Sequence, residues 1–177
     1  NDDDNLQIET NGIITKKYQF KWDFPRDFSG EQQSFQSLYD FGMNNKITGT
    51  IYTSATPLSK KQQGIILFSR GKLVQESMSF SERANDNFFQ YMAGSFAVDF
   101  IDESPEVDNC STDRKSLAWD TYGNTDLDLL KQLLEKLVSM TQNKWRLSRK
   151  EAKKQKIRER GVDLDKWIDD LNPAEKP

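Results

Sequence analysis

A chain of 177 residues suits one domain with an appendage or two very small domains, a size at which roughly 68–70% of the surface of the unfolded chain becomes buried. Only 35% of the residues are hydrophobic and 30% are charged, so eleven Phe, five Tyr and four Trp must supply much of the buried area. The single cysteine, Cys110, excludes an internal disulfide and Cys-based zinc sites; the lack of histidine excludes Ser-His-Asp and Cys-His catalysis and every His-ligated metal; and no apolar run approaches the roughly 18 residues of a membrane span.

From Ile14 onward Tyr18, Phe20, Trp22 and Phe24 alternate with Lys17, Gln19, Lys21 and Asp23, which predicts one half-buried strand with an aromatic face, ended by Pro25. Phe35, Leu38, Tyr39 and Phe41 suit one face of a short helix within Gly30 to Phe41, with Gly42 beyond it. The β-branched run Ile47 to Thr53 predicts a second strand. A polar loop, Ser54 to Gln63, leads to a third strand over Gly64 to Phe68, and Leu73-Val74 opens a fourth. Between these two, Ser69-Arg70-Gly71-Lys72 reads as a tight reversal, because glycine accepts positive φ. A helix is expected from about Ser81 to Met92, with Phe88, Phe89 and Met92 inward and Gly94 as its stop. A strand over Ser95 to Ile101 follows, alternating Phe96, Val98 and Phe100.

After an acidic, polar loop, Thr125 with Asp128 forms a capping box, and Leu127, Leu130, Leu134, Leu137 and Val138 make an apolar helical stripe. Trp145 stands two turns further on, and the helix is expected to continue through Lys150 to Arg160 and end at Gly161. Asp163 then caps a short amphipathic helix with Leu164, Trp167, Ile168 and Leu171, closed by Asn172-Pro173. This order implies an α/β (α+β) fold: a mixed, mainly antiparallel sheet with a β-α-β crossover and helices on one face, then a long C-terminal helix. The expected division is an α/β domain over residues 1–122 and a helical extension over 123–177 packed on it.

The chemistry is defined largely by what is missing. Gly42 and Gly49 stand alone, so there is no glycine-rich phosphate loop. Asp99, Asp102, Glu103, Glu106 and Asp108 offer oxygen ligands without the spacing of a calcium loop, and no metal site is expected. Two places stand out, the Ser69 to Lys72 turn and the polar, basic loop Cys110 to Lys115. On composition alone each reads as a surface turn or loop, yet the adjacent Arg114 and Lys115 carry the fixed positive charge that a terminal phosphate requires. The segment Lys144 to Arg160 holds nine Lys or Arg against two Glu. It is either a solvated helix face or a nucleic-acid contact through Lys144, Arg146, Arg149 and Lys150, with Trp145 able to stack.

Several of these stretches occur in a telling order: Ile47-Thr48-Gly49-Thr50-Ile51, Gly64 to Glu76 with its Arg70-Gly71 turn, Tyr91 to Phe100, Ser111 to Lys115, and Gln142 to Arg146. Together they resemble the second, or transducer, domain of bacterial ATPases of the GHKL superfamily, the gyrase B, MutL and MORC kind, over about Ile47 to Trp145. The resemblance implies a module that couples ATP binding in a preceding domain to conformational change or partner engagement. By order along the chain, the lysine loop that reaches the γ-phosphate in the MutL-like branch falls on Thr112 to Lys115. Lys115, with Arg114 as the alternate, is then the catalytic cation, and Thr112 and Lys115 are the nucleotide-binding residues. No His-Pro precedes the lysine, a departure from the MutL pattern. The resemblance further implies ATP and Mg in the full-length protein but none bound by this chain, an upstream ATP-binding domain as partner, a cytoplasmic location, no membrane association and a monomeric fragment. The chain begins at Asn1 without a methionine and so reads as a fragment. The alternative function is a nucleic-acid- or protein-binding module without nucleotide chemistry.

Overall fold

The computed structural model describes residues 6–10, 13–18, 20–81, 87–103, 108–111, 115–121 and 123–160. The chain divides into two compact units, Asn1–Gln142 and Asn143–Pro177. In the first, β1 (Leu6–Thr10) and β2 (Ile13–Tyr18) form an antiparallel two-stranded sheet. The main sheet holds β3 (Phe20–Phe24), β4 (Thr48–Thr53), β5 (Gly64–Ser69), β6 (Lys72–Met78) and β7 (Met92–Ala97), in the order β3-β4-β7-β5-β6. Every neighbouring pair is antiparallel except β5 and β7, which run parallel. The expected class is therefore present: a mixed, mainly antiparallel sheet with helices and a long C-terminal helix.

The single strand expected over Ile14 to Phe24 is instead two strands in two different sheets, β2 and β3. Alternation sets which side chains share a face, and it carries no information about which strand will be the partner.

The register sorts the main sheet into rows across its strands. Phe24, Gly49, Phe96 and Leu67 stand opposite one another, and so do Trp22, Ile51, Gly94 and Ile65. Phe24, Phe96, Leu67, Ile51 and Ile65 are all buried, so these rows form the core face. Two glycines make it possible. A Cβ on Gly49 would lie 2.2 Å from Cδ1 of Phe96, whose ring covers that residue. On Gly94 it would meet the carbonyl oxygen of Thr50 at 2.8 Å. Gly94 is thus an interior residue of β7, where the sequence had suggested a helix stop. Of the helix expected over Ser81 to Met92, the described part is a 3-10 turn at Asn87–Tyr91, and the strand already begins at Met92. The strand expected over Ser95 to Ile101 gives way to a second 3-10 turn at Asp99–Asp102.

A 3-10 segment at Arg26–Phe35 leads into helix α1 (Gln36–Asn44). The helix runs through Gly42, because a bare Cα lets the Phe24 ring approach; a Cβ there would be 2.7 Å from Cζ of Phe24 and 3.1 Å from Cδ2 of Leu133. Helix α2 spans Thr125–Glu159, 35 residues and about 52 Å at 1.5 Å per residue. Leu127, Leu130, Leu134, Leu137 and Val138 are buried as the spacing predicts, and Leu133 joins them. The Phe24, Gly42 and Leu133 contact places β3, α1 and α2 around one core.

The side-chain cap of α2 comes from Asn124 rather than from Thr125: its Oδ1 accepts the Leu127 N–H at 3.2 Å, while its Nδ2 donates to Oδ1 of Asn109 at 2.7 Å. Asn124→Ala should therefore lower stability by about 0.5–2 kcal/mol, read as a shift of the urea midpoint. An unchanged midpoint would show that the cap contributes nothing. The short helix expected over Asp163 to Leu171 lies outside the described residues.

Candidate functional site

The β5–β6 hairpin closes through Arg70 and Gly71, both at positive φ (48° and 78°) with Ser69 opposite Lys72. This is the two-residue turn whose twist matches that of the flanking strands. Glycine adopts this conformation freely, whereas Arg70 is held there at a strain of about 1–3 kcal/mol. Two carboxylates hold the turn. Asp99 Oδ1 accepts the Arg70 N–H at 2.6 Å, and Asp102 Oδ2 accepts the Ser69 hydroxyl at 2.6 Å. These two acids, considered as cation ligands on composition, instead fix a backbone turn. Asp108 likewise serves its own loop, its Oδ1 accepting the Cys110 N–H at 3.1 Å.

The second place is a loop closed at its neck. Cys110 and Leu117 form an antiparallel bridge, and the Ser111 N–H donates to the Ser116 carbonyl at 2.7 Å. The Ser116 hydroxyl donates to the Ser111 hydroxyl at 2.9 Å, and the Ala118 N–H donates to the Asn109 carbonyl at 2.8 Å. Thr112 and Arg114 lie outside the described residues; Lys115 is exposed.

What holds this loop is Gln75 of the edge strand β6. Its Oε1 accepts both the Leu117 N–H at 3.0 Å and the indole Nε1–H of Trp119 at 2.8 Å, while its Nε2 donates to the Glu76 carbonyl at 2.9 Å. Beside it the Glu76 N–H donates to the Lys115 carbonyl at 2.9 Å. Gln75 is buried, and Trp119 packs edge-on against Phe80 with ring centroids 5.6 Å apart. The sheet edge is thereby covered, and the backbone of Lys115 is pinned while its side chain reaches outward. Neither the fork from Gln75 nor the serine pair has a sequence signature. An aromatic at Trp119 in an otherwise polar stretch is the nearest signal, since a half-buried indole N–H needs an acceptor.

Along β6 the turn and the backbone contact of Lys115 stand apart. Glu76, opposite Lys115, stands four residues along β6 from Lys72, about 13 Å at 3.3 Å per residue. Lys144, Arg146, Arg149 and Lys150 lie on α2 within the second unit. The guanidinium of Arg149 sits 4.8 Å above the ring of Trp145, a cation–π contact.

A shallow depression of about 390 Å³ crosses the main sheet, lined in part by Asp23, Thr48, Thr50, Phe68, Ser95 and Ala97. Its one carboxylate is already engaged: Asp23 accepts the Thr50 hydroxyl at 2.6 Å and Nη2 of Arg26 at 2.7 Å, with Lys21 at 3.5 Å. The hydrogen bond from Arg26 to Asp27, with the charges of Asp27 and Asp23, holds that guanidinium above its ordinary pKa. The charges here neutralise one another, which leaves little to recognise a ligand. Among the described residues no group of three or more Cys, Asp or Glu is arranged to hold a metal ion, and no helix is long and apolar enough to cross a membrane. Comparison with protein-family models, with curated proteins and with solved structures finds no match to this chain.

Proposed function

We propose that this chain is the transducer domain of a GHKL-type ATPase, coupling ATP binding in a separate domain to conformational change, with the tip of the 112–115 loop offered to the nucleotide phosphate. The observation that supports it is the mounting of Lys115. Its backbone is fixed to a sheet edge by the Glu76 N–H and by the Gln75 fork just beyond it, while the side chain is exposed. A cation delivered to a phosphate must be positioned before the charge develops, because ordering it during the reaction would raise the barrier. Exposure serves the same end, since the nucleotide comes from outside this chain.

The reading requires that the gene's reading frame upstream of Asn1 encode an ATP-binding domain, and sequencing that stretch tests it: an unrelated upstream sequence ends the proposal. In the full-length protein Lys115→Ala should lower ATP turnover by about tenfold or more, since removing one pre-positioned charge contact costs upward of about 1.4 kcal/mol of transition-state stabilisation. Turnover within about twofold of wild type would remove Lys115 from the role and leave Arg114 as the remaining cation of the loop.

A further inference from the structure

Nine cations stand between Lys144 and Arg160, and six of them share one side of the helix, while Lys144, Lys154 and Arg158 lie outside it. At 100° per residue, Arg146, Arg149, Lys150, Lys153, Lys156 and Arg160 fall within an arc of about 120°, and Glu151 and Glu159 lie outside it. All six are exposed, and none forms an ion pair among the described residues. The segment Lys144 to Arg160 carries a net +7 in a chain whose total is −3, so the rest carries −10. The negative end of the helix dipole accounts for cations within the last turn only, which leaves Arg146, Arg149, Lys150 and Lys153 unexplained by it.

We infer that this face of α2 is a binding surface for the phosphate backbone of a nucleic-acid duplex. From Arg146 to Arg160 the stripe is about 21 Å long at 1.5 Å per residue, and a duplex strand presents a phosphate for about every 3.4 Å of axis, roughly six over that length. A rigid helix with about one or two cations per turn matches such a ladder of fixed negative charges. A single strand would need exposed aromatic rings for its bases to stack on. Here the only aromatic residue between Asn143 and Arg160 is Trp145, which is buried. A membrane surface would need an apolar helix face opposite the cations. Between Trp145 and Arg160 the apolar residues are Leu147, Ala152 and Ile157, which point in three different directions on the same 100° wheel. Arg149 is held in place by its contact with Trp145, which reduces the side-chain entropy lost on binding.

The test is fluorescence anisotropy with the 177-residue chain, without nucleotide, against labelled duplex DNA, duplex RNA, a single strand of the same sequence, and vesicles containing phosphatidylserine. Binding to a duplex is expected at about 20 mM salt, with log affinity falling against log salt at a slope of about −5 for six phosphate contacts. The two duplex arms show whether the B-form or the A-form backbone is preferred. The triple variant Arg146→Gln, Lys150→Gln and Lys153→Gln should retain its helix content, because glutamine is as good a helix former as lysine or arginine. It should bind about tenfold or more weakly, with the slope reduced by about 3. Lys60→Gln with Lys61→Gln, in a loop of the other unit, should leave affinity unchanged. No duplex binding at low salt, tighter binding to the single strand or the vesicles, or equal losses in the two sets of variants would each overturn the assignment. Because ATP plays no part in this assay, its outcome leaves the transducer reading where it stands.

Discussion

Phe96→Ala is expected to destabilise the domain by about 3–5 kcal/mol, the range for deleting a fully buried aromatic ring. The ring is 1% exposed and lies over Gly49 of the neighbouring strand. That partnership makes the prediction sharper than a simple core truncation. Gly49→Ala puts a methyl group where the Phe96 ring now is, and should cost about 1–3 kcal/mol through overpacking. In the Phe96→Ala background the same methyl group has room and fills part of the cavity, so the double variant should be more stable than the sum of the two single effects by about 0.5 kcal/mol or more. Urea unfolding of the three variants measures this directly. Strict additivity would show that the glycine is present for some reason other than the ring.

Gln75→Leu is the second large effect. The substitution keeps the volume roughly constant but removes the acceptor shared by the Leu117 N–H and the Trp119 indole N–H. Each donor left buried without a partner costs about 1–3 kcal/mol, so a loss at the upper end of that range is expected in thermal or urea unfolding. Trp119→Phe removes one donor and leaves Gln75 bonded to Leu117, and should cost less. If Trp119→Phe proved the more damaging, the edge packing of the indole on Phe80, rather than the fork, would be what holds the loop. Because Leu117 lies two residues beyond Lys115, the Gln75 change should also loosen the loop tip. Faster amide exchange at Ser111, whose N–H donates across the loop neck to Ser116, would register that loosening.

These two variants probe the two halves of one device. Phe96 and Gly49 belong to the core that makes the sheet rigid, and Gln75 transfers that rigidity to a loop at its edge. A sheet with one face packed into the core has few soft modes, so a loop bonded to the edge strand through both backbone and side chain inherits its position. The same economy appears at the other end of β6, where Asp99 and Asp102 hold the strained turn at Arg70. In both places a polar side chain from a non-adjacent segment satisfies a backbone donor, and only the folded chain brings the two together.

The local elements were largely legible in the sequence. The β-branched run at Ile47 to Thr53, the two strands flanking Arg70-Gly71 and the leucine stripe after Thr125 all appear where periodicity puts them, because each carries its own signal within ten residues or so. Glycine was the recurrent source of error. Gly94 read as a helix stop, since an exposed glycine at a helix end adopts positive φ at no steric cost, and Gly42 read as lying just beyond a short helix. Each instead sits inside an element, where the lack of a Cβ admits the Phe24 ring in one case and the Thr50 carbonyl in the other. That distinction depends on neighbours 18 and 44 residues away in sequence and has no local signature.

Composition also set firm limits by itself: a chain with no histidine and one cysteine is barred from whole classes of catalysis whatever its fold. It drew attention to the basic loop and the basic helix as well, since clustered charge is visible without coordinates. What it could not decide was the mounting of those charges. Pairing β7 between β4 and β5, turning Gln75 toward Trp119, and aligning five cations along one face of an unbroken α2, with Arg160 just past its end, each depend on how distant segments meet or how far a helix continues. Such arrangements are settled by the packing of the whole chain, because a hydrogen bond or a close approach between remote residues contributes only once both are already in place.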